Sequence, residues 1–294
     1  MKKVMSKSEI TFNVNKKGIE EGVITLKSDD PLFLEAVKTS TDLKTLVATE
    51  LEYLNNELTL SSKKRALTRY RNAIRSALGV ECEVLKTLKL TKKERENLTL
   101  ADDTQIRNTS DNLIGLNLED FLNTAISLIA DRKSYTKVSA GLFALTGRRP
   151  IEILKTGSFQ IISDDWVTFT GQAKKVKSSN YLESKPFDIP VLSNTKTIVE
   201  ALNFIRSVRD FSDISNDDIH SKTNKTLNDT CKRYFKDLIP DPSPKMLRKA
   251  YGAVASHWFK RDTQDINAFL SDVLGHETLD TTTSQTYKQF HIVE

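Results

Sequence analysis

The sequence has few of the features that mark secreted, membrane-bound or metal-binding proteins. Its 294 residues include two cysteines, Cys82 and Cys231, which stand far apart and cannot supply the spacing of a zinc site. We therefore expect reduced thiols and no disulfide framework. There is no apolar run long enough to span a membrane, and the basic start of the chain lacks the apolar core of a signal peptide. These absences predict a cytoplasmic protein without a membrane span or a bound metal.

A large excess of charge of one sign is also missing. The chain carries 44 Lys and Arg against 39 Asp and Glu, which leaves a net charge of +5. An excess this small favours a polyanion partner only where the cations cluster. The length is sufficient for two domains of ordinary size, each with a core of its own.

Apolar residues at steps of three and four predict a mainly helical chain with a small antiparallel β-sheet. Residues 81–117 are rich in Lys, Asn, Asp and Thr and poor in apolar positions, which is typical of a linker. We therefore expect a helical N-terminal domain over residues 1–100, a linker over 101–118 and a second domain over 119–294.

Within the second domain, the periodicity changes from helical to alternating and back. Helices are predicted over residues 119–132, 135–145, 195–210, 225–238, 244–260 and 265–274, and strands over 159–161, 166–169 and 187–189. Gly147 is expected to end one helix, and Ser243 followed by Pro244 is expected to begin another.

A basic helix in the N-terminal domain predicts contact with the DNA backbone. Ser61 and Ser62 provide a capping signal, and Leu67, Tyr70 and Ile74 share one apolar face. The remaining surface carries six cations: Lys63, Lys64, Arg65, Arg69, Arg71 and Arg75. Clustered cations suit phosphates, although an ordinary solvated face is the alternative.

A second group of residues has the chemistry to break a phosphodiester bond. Tyr287 can act as the nucleophile, while Arg149 and Arg248 can each donate paired hydrogen bonds to phosphate oxygens. Lys174 can protonate the leaving 5′ oxygen, provided that neighbouring cations lower its pKa. His276 can hold a phosphate oxygen or assist the tyrosine proton. Together these five residues supply a metal-independent cleavage site.

Taken one at a time, these signals have ordinary explanations. An arginine pair at a helix end suits the helix dipole, and Leu-Gly-His at 274–276 is a common junction from helix to loop. Tyr287 can simply pack at a core edge. The order of the motifs along the chain, with a sheet between them, favours the catalytic interpretation.

Three motifs resemble the conserved boxes of the tyrosine recombinases. They are Thr-Gly-Arg-Arg-Pro-Ile-Glu at 146–152, Lys-Met-Leu-Arg at 245–248, and Leu-Gly-His at 274–276 followed by Tyr287. In that family the catalytic arginine follows Thr-Gly-x, so the resemblance selects Arg149 over Arg148. Among these enzymes, the first box and Phe-Thr-Gly-Gln-Ala-Lys at 169–174 look most like the hairpin telomere resolvases, or protelomerases. The resemblance covers roughly residues 119–290.

The family resemblance implies a fold, a partner and a reaction. We expect a tyrosine recombinase-like catalytic domain that closes on double-stranded DNA together with the helical N-terminal DNA-binding domain. Two protomers would act on a palindromic site through 3′-phosphotyrosine intermediates and seal hairpin ends, without a metal, ATP or any other cofactor. Such an enzyme would be bacterial or phage-encoded and associated with the nucleoid.

Two other functions remain open from the sequence. A conventional recombinase would use the same residues to exchange strands between two duplexes, and a DNA-binding architectural protein would carry out no chemistry. Only seven residues follow Tyr287, which predicts neither an exchanged C-terminal helix nor an accessory domain after the tyrosine. The spacing from His276 to Tyr287 is longer than usual for integrases and favours a resolvase.

Several assignments around the site keep alternatives. Lys174 is favoured as the general acid, with Lys175 second. Further DNA contacts are predicted for Arg148, Lys175, Lys177 and Lys245. Glu152 either orients Arg149 or forms an ordinary surface pair with it.

Overall fold

The structure, a computed structural model, describes residues 48, 51–52, 54–56, 58–78, 84–173, 186–275 and 287–293. The chain divides into two compact units, Met1–Thr104 and Gln105–Glu294. The short strands that the sequence suggests within residues 1–30 lie outside the described residues.

The first unit is helical in the described residues. Its helices are α1, Leu60–Leu78; α2, Val84–Thr87; and α3, Lys92–Asp111, which continues into the second unit. Helix α1 buries Leu67, Tyr70 and Ile74 at the spacing of one helical face, as the sequence predicts. Leu85 and Leu88 are also buried in this unit. Helix α3 has no buried residue.

The second unit contains six helices, a π-helical turn and five short strands among the described residues. In chain order these are β1, Ile114–Asn117; α4, Leu118–Ala130; α5, Tyr135–Thr146; the π-helical turn Glu152–Thr156; β2, Ser158–Ile161; β3, Trp166–Thr170; β4, Phe187–Pro190; α6, Thr195–Val208; α7, Asn216–Phe235; α8, Pro244–Phe259; α9, Ile266–Leu274; and β5, Phe290–Val293. The predicted class, mainly helical with a small antiparallel sheet, is confirmed. None of the helices in the described ranges is both long and apolar enough to cross a membrane.

Helix α5 lies at the centre of this unit, packed against α4, α6, α7 and α8. Its apolar and small residues continue around the helix, and ten of its twelve residues are buried. Gly141 permits the close approach of α4, because a Cβ there would lie 2.7 Å from the carbonyl oxygen of Ala125. The C-terminal end of α5, which carries the first arginine motif, is therefore fixed inside the core.

The antiparallel sheet has the order β2-β3-β4. Phe169 on β3 pairs with Phe159 on β2 and with Phe187 on β4. Val167, Phe169 and Ile189 are fully buried, so one face of the sheet closes the core, as alternating strands predict. All three predicted strands are present.

A second, two-stranded sheet was not predicted from the sequence. Strand β1 pairs in parallel with β5, with Ile114 opposite Phe290 and Leu116 opposite Ile292. Leu116 and Phe290 are both part of the core. Residues 101–118, predicted as a linker, thus contain the end of α3 and the strand that holds the segment after Tyr287.

Candidate active site

The first arginine motif begins where α5 ends. Gly147 adopts a left-handed conformation, with φ 63°, and its amide donates to the carbonyl of Phe143. A Cβ at this position would lie 2.2 Å from Cδ1 of Tyr251 on α8. Glycine is needed here both for the backbone turn and for contact with α8, and this turn directs Arg148 and Arg149 to different surroundings.

Arg149 is held by Glu152 one helical turn later. Glu152 accepts hydrogen bonds from Nη1 of Arg149 at 2.7 Å and from its backbone amide at 2.8 Å. The Glu152 side chain is 0% exposed, whereas that of Arg149 is 23% exposed. The surface-pair interpretation is therefore wrong, and the geometry agrees with an orienting role for Glu152.

The charge on Glu152 is stabilised by three arginines. Burial by itself raises the pKa of this carboxyl, but Arg148, Arg248 and Arg149 outweigh burial and lower the pKa below its ordinary value. Glu152 therefore stays ionised and leaves an excess of positive charge in the cluster.

Arg248 connects three parts of the site. It lies in the second turn of α8, whose start is capped by Ser243. The residue is 3% exposed, and its guanidinium donates to the carbonyls of Gly147 and Leu274, the second at 2.6 Å. Nε donates to the hydroxyl of Tyr287 at 3.4 Å. One buried side chain thus fixes the ends of α5 and α9 and contacts the phenol.

Tyr287 is brought to Arg248 by the unexpected parallel strand pair. Its ring centre lies 5.7 Å from the guanidinium carbon. Two residues later, the carbonyl of Gln289 accepts from the amide of Ile114 at 2.9 Å, and its side chain accepts from Lys249 at 2.6 Å. The segment that carries the phenol is therefore anchored to β1 and to α8 within its own chain.

Tyr287, Arg149 and Arg248 border a cavity of about 470 Å³. Lys245, an exposed residue in the first turn of α8, lies on the same rim. Cations arranged around a phenol can stabilise charge that develops on a phosphate attacked by its oxygen. The structure therefore brings together Arg149, Arg248, Tyr287 and Lys245.

Helix α7 contributes a wall that sequence reasoning missed. His220, Asn224 and Asn228 recur at steps of four and all line the cavity. The same periodicity is visible in the sequence, but polar side chains on a polar helix gave no reason to single it out. The predicted helix began at residue 225, whereas Ser215 caps α7 by accepting from the amide of Asp218.

The prediction that Arg148 contacts DNA is wrong. Its side chain is 0% exposed, with the guanidinium carbon 4.7 Å from the ring centre of Phe169 and 5.5 Å from that of Phe187. It donates to the carbonyls of Thr146 and Val273, at 3.1 and 2.5 Å. Burial, reinforced by Arg248, lowers the pKa of Arg148 to about 10, so it remains charged near neutral pH.

Lys63 on α1 is a second correction. The residue is 7% exposed and its ammonium is paired with Glu94. This pair lowers the pKa of the Glu94 carboxyl. A buried, paired ammonium is not available to a DNA backbone, so the prediction for Lys63 is wrong. The other α1 cations differ: Lys64, Arg65 and Arg75 are exposed, and Arg69 and Arg71 are partly exposed.

Four predicted residues lie outside the described part of the chain: Lys174, Lys175, Lys177 and His276. The residues directly before them are described. Ala173 donates its amide to Glu152 at 3.2 Å, and Gly275 ends α9 with φ 65°. The roles of the four residues stay predictions.

Comparisons with known proteins match this region of the chain. Residues 112–290 fit the family model "Telomere resolvase ResT/TelK catalytic domain". The protelomerase of Yersinia phage PY54 is 28% identical over 279 residues, covering 86% of this chain and 43% of that protein. Telomere resolvase ResT of Borreliella burgdorferi is 23% identical over 178 residues, covering 60% of this chain and 39% of ResT. The chain therefore spans about two fifths of the length of these curated relatives.

Solved structures give a consistent result. Selenomethionine protelomerase TelA, covalently complexed with substrate DNA, superimposes with a TM-score of 0.76 at 26% identity, covering 85% of this chain and 82% of TelA. Protelomerase TelK complexed with substrate DNA shares the fold, with a TM-score of 0.58 at 21% identity over 88% of this chain and 55% of TelK. The resemblance inferred from the sequence motifs is confirmed, and the chain belongs to the telomere resolvase ResT/TelK catalytic domain family.

Proposed function

We propose that this chain cleaves double-stranded DNA with Tyr287 as the nucleophile and rejoins the ends as covalently closed hairpins. The observation that carries the proposal is the phenol oxygen 3.4 Å from Nε of Arg248, at the rim of a cavity that Arg149 and Lys245 also line. Membership of the telomere resolvase family supports hairpin formation as the outcome.

Cleavage exchanges one phosphodiester for another. The Tyr287 oxygen attacks the scissile phosphorus as its proton passes to His276 or to water, and the bond to the 5′ bridging oxygen breaks. The DNA 3′ end stays attached as a phosphotyrosine, and the leaving oxygen takes a proton from Lys174 to become a 5′ hydroxyl. His276 holds a phosphate oxygen or assists the tyrosine proton.

The two arginines stabilise the charge of this transition state. Arg149 and Arg248 are fixed by Glu152 and by backbone carbonyls before DNA binds. Little reorganisation is then needed as charge grows on the phosphate oxygens, and each donor of this kind contributes about 10²-fold or more in rate.

Rejoining reverses the chemistry with a different hydroxyl. Each strand folds back, and its 5′ hydroxyl attacks the phosphotyrosine across the same site. The 5′ hydroxyl returns its proton to Lys174, the phenol leaves and regains the proton that it lost in cleavage, and a hairpin closes. The phosphotyrosine conserves the energy of the broken bond, so this scheme consumes no ATP.

DNA binding would use both units. The proposed backbone contacts are Lys64, Arg65, Arg69, Arg71 and Arg75 on α1, and Lys175, Lys177 and Lys245 in the second unit. Two protomers on a palindromic duplex would place one tyrosine at each of two staggered cuts. A cytoplasmic, nucleoid-associated location in a bacterial or phage setting also stays a prediction.

Trapping the covalent intermediate tests this function. The protein is incubated with a palindromic duplex nicked near the scissile phosphate, so that cleavage releases a short fragment and rejoining fails. We expect a covalent complex that survives denaturation and whose attached residue maps to Tyr287. Tyr287→Phe should give none while still binding DNA, and an adduct from that variant would place the nucleophile elsewhere.

Tyr135→Phe is the matched control. Tyr135 begins α5, does not line the cavity, and packs its ring against Phe211 at 6.1 Å. Removal of the Tyr135 hydroxyl should leave adduct formation at Tyr287 unchanged. With an intact palindrome, foldback products that resist denaturation support hairpin formation. Branched or exchanged products would instead identify a strand-exchanging recombinase.

A further inference from the structure

The C-terminal end of α9 is held by side chains from three separate segments. The carbonyls of residues 273–275 accept hydrogen bonds from Arg148, Arg248 and Gln172 in that order. The last carbonyls of a helix have no partner within the helix, and donors at that end satisfy them. Arg248 belongs to the proposed site and Arg148 to the core, whereas Gln172 has no assigned role.

Gln172 lies in the short segment 171–173 that directly follows β3. Gly171 before it has φ 84°, and a Cβ there would lie 1.8 Å from the carbonyl oxygen of Thr156, so the chain turns tightly against the π-helical turn. Ala173 after it donates its amide to Glu152. Residues 171–173 are therefore attached at two points. Ala173 donates to the Glu152 carboxylate that holds Arg149, and the Gln172 side-chain amide donates to the end of α9.

Gly275, whose carbonyl accepts this hydrogen bond, lets the Gln172 side chain come close to the backbone. Gly275 has φ 65°, and a Cβ on it would lie 2.8 Å from Nε2 and 3.0 Å from Oε1 of Gln172. It would also lie 2.7 Å from the Phe187 ring. A side chain at position 275 would displace the amide, so this glycine keeps open the space that the hydrogen bond occupies.

We propose that Gln172 is a positioning residue that ties the segment leading to Lys174 to the segment leading to His276. Lys174 follows Gln172 by two residues, and His276 follows Gly275 directly. A single hydrogen bond, from the Gln172 amide to the Gly275 carbonyl, therefore joins the two segments at their described ends. The proposal rests on the proposed function, in which Lys174 protonates the leaving oxygen.

The expected defect follows from what the bond holds. Without it, Arg248 still fastens α9 and contacts the phenol, so DNA binding and the nucleophile should be retained. The proton donor would be held less well, and misplacement of a catalytic group by about 1 Å can cost 10²-fold. We expect Gln172→Met, which keeps the size of the side chain and removes its N–H donors, to slow cleavage at least tenfold.

A change of leaving group separates this role from a general structural one. Single-turnover cleavage of the nicked palindrome is measured with the normal 5′ bridging oxygen and with sulfur in its place. A thiol has a pKa near ~8.5, so a thiolate can leave without a proton donor. Both Lys174→Ala and Gln172→Met should be slow on oxygen and close to the wild-type rate on sulfur. Equal slowing of Gln172→Met on both substrates overturns the proposal.

Gln160→Met is the matched control for the chemistry of the substitution. Gln160 lies on β2 with an exposed side chain, and its loss should leave both rates unchanged. Gly275→Ala provides a second test, because it disturbs the same contact from the other side. If the contact is shared, the double variant with Gln172→Met should be no slower than the slower single variant, whereas multiplied defects overturn the proposal.

Failure of this inference and failure of the proposed function give different results. If the wild-type protein forms no adduct at Tyr287, the proposed function fails. If the wild-type adduct forms and Gln172→Met cleaves the oxygen substrate at the wild-type rate, only the positioning role is overturned. If sulfur does not restore Lys174→Ala, the assignment of Lys174 falls and this inference falls with it, while Tyr287 keeps its role.

Discussion

Arg65 and Arg75 on helix α1 are exposed to solvent, whereas Arg148 and Arg248 in the second unit are 0% and 3% exposed. The buried pair donates to backbone carbonyls at the ends of α5 and α9. An exposed guanidinium keeps its rotational freedom and offers mainly charge, so it suits affinity for a polyanion. A buried guanidinium fixed by carbonyls offers direction as well, which stabilisation of a transition state requires.

The two regions also differ in how their charge is balanced. Lys63, the buried cation of α1, is neutralised by Glu94. In the candidate active site, Arg148, Arg149 and Arg248 all act on one carboxylate, that of Glu152. This cluster keeps an excess of positive charge at the cavity rim, where a phosphate would complete the balance. The comparison predicts rate effects from one region and affinity effects from the other.

The largest effects are expected from Arg149→Ala and Arg248→Ala. Each should slow single-turnover cleavage by about 10²-fold or more, because a fixed donor to the phosphate is lost. Arg248→Ala should also lower the free energy of unfolding by about 2 kcal/mol or more, since it leaves two buried carbonyls without donors. Urea unfolding measures this difference.

Arg149 serves as the comparison within the same site, because its side chain is more exposed and contacts no backbone carbonyl among the described hydrogen bonds. A larger stability loss for Arg149→Ala than for Arg248→Ala would contradict the role given to Arg248, which is to hold the ends of α5 and α9 together through their carbonyls.

The next largest effect is expected from removing the charge of the Glu152 carboxylate. Glu152→Gln should lower the free energy of unfolding by about 3 kcal/mol near neutral pH, because breaking a buried ion pair leaves uncompensated charge. The pKa of this carboxyl is lowered in the folded protein. Its contribution is therefore fully present above the unfolded-state value of 4.5 and is lost as the pH falls through the folded value.

The stability difference between wild type and Glu152→Gln should accordingly shrink in acid. Urea unfolding of both proteins, near neutral pH and below pH 4.5, checks this. A difference that stays constant across that range would mean that Glu152 acts through packing and not through its charge.

Much of the second unit could be predicted because its signals are local. The apolar run of α5, the Ser-Pro start of α8 and the alternation along β3 each reflect the geometry of one element. The order of the motifs predicted that Arg149, Arg248 and Tyr287 act together. The structure brings the three to one cavity, and their catalytic roles stay predictions.

The remaining features depend on contacts between distant segments. Strands β1 and β5 have four residues each and are separated by most of the second unit, so neither shows a pattern long enough to recognise. Arg148 and Arg149 are adjacent, and nothing local decides which one turns inward. Phe169 and Phe187, which enclose Arg148, decide it from two other strands.

Arg148→Met tests the corrected role of this residue. Removal of the guanidinium leaves the carbonyls of Thr146 and Val273 without this donor, at a cost of about 1–3 kcal/mol. Contacts between the methionine and the rings of Phe169 and Phe187 should offset part of that loss. We expect lower stability by urea unfolding and an unchanged affinity for DNA. Weaker DNA binding with unchanged stability would restore the original assignment of Arg148 to the DNA interface.

The smallest effects are expected on α1, where Lys63 provides a matched control on the same helix. Replacing both Arg65 and Arg75 with Ala should weaken DNA binding and flatten the dependence of log K on log salt by about one unit for each lost phosphate contact, with little change in stability. Lys63→Met should lower the stability and leave DNA binding and its salt dependence unchanged, because it breaks the pair with Glu94 but removes no exposed cation. Titrations of a labelled duplex at several salt concentrations, alongside urea unfolding, compare the two. If Lys63→Met flattens the salt dependence as much as the double variant does, burial does not distinguish cations that bind DNA from cations that stabilise the fold. That result would contradict the comparison between exposed and buried cations.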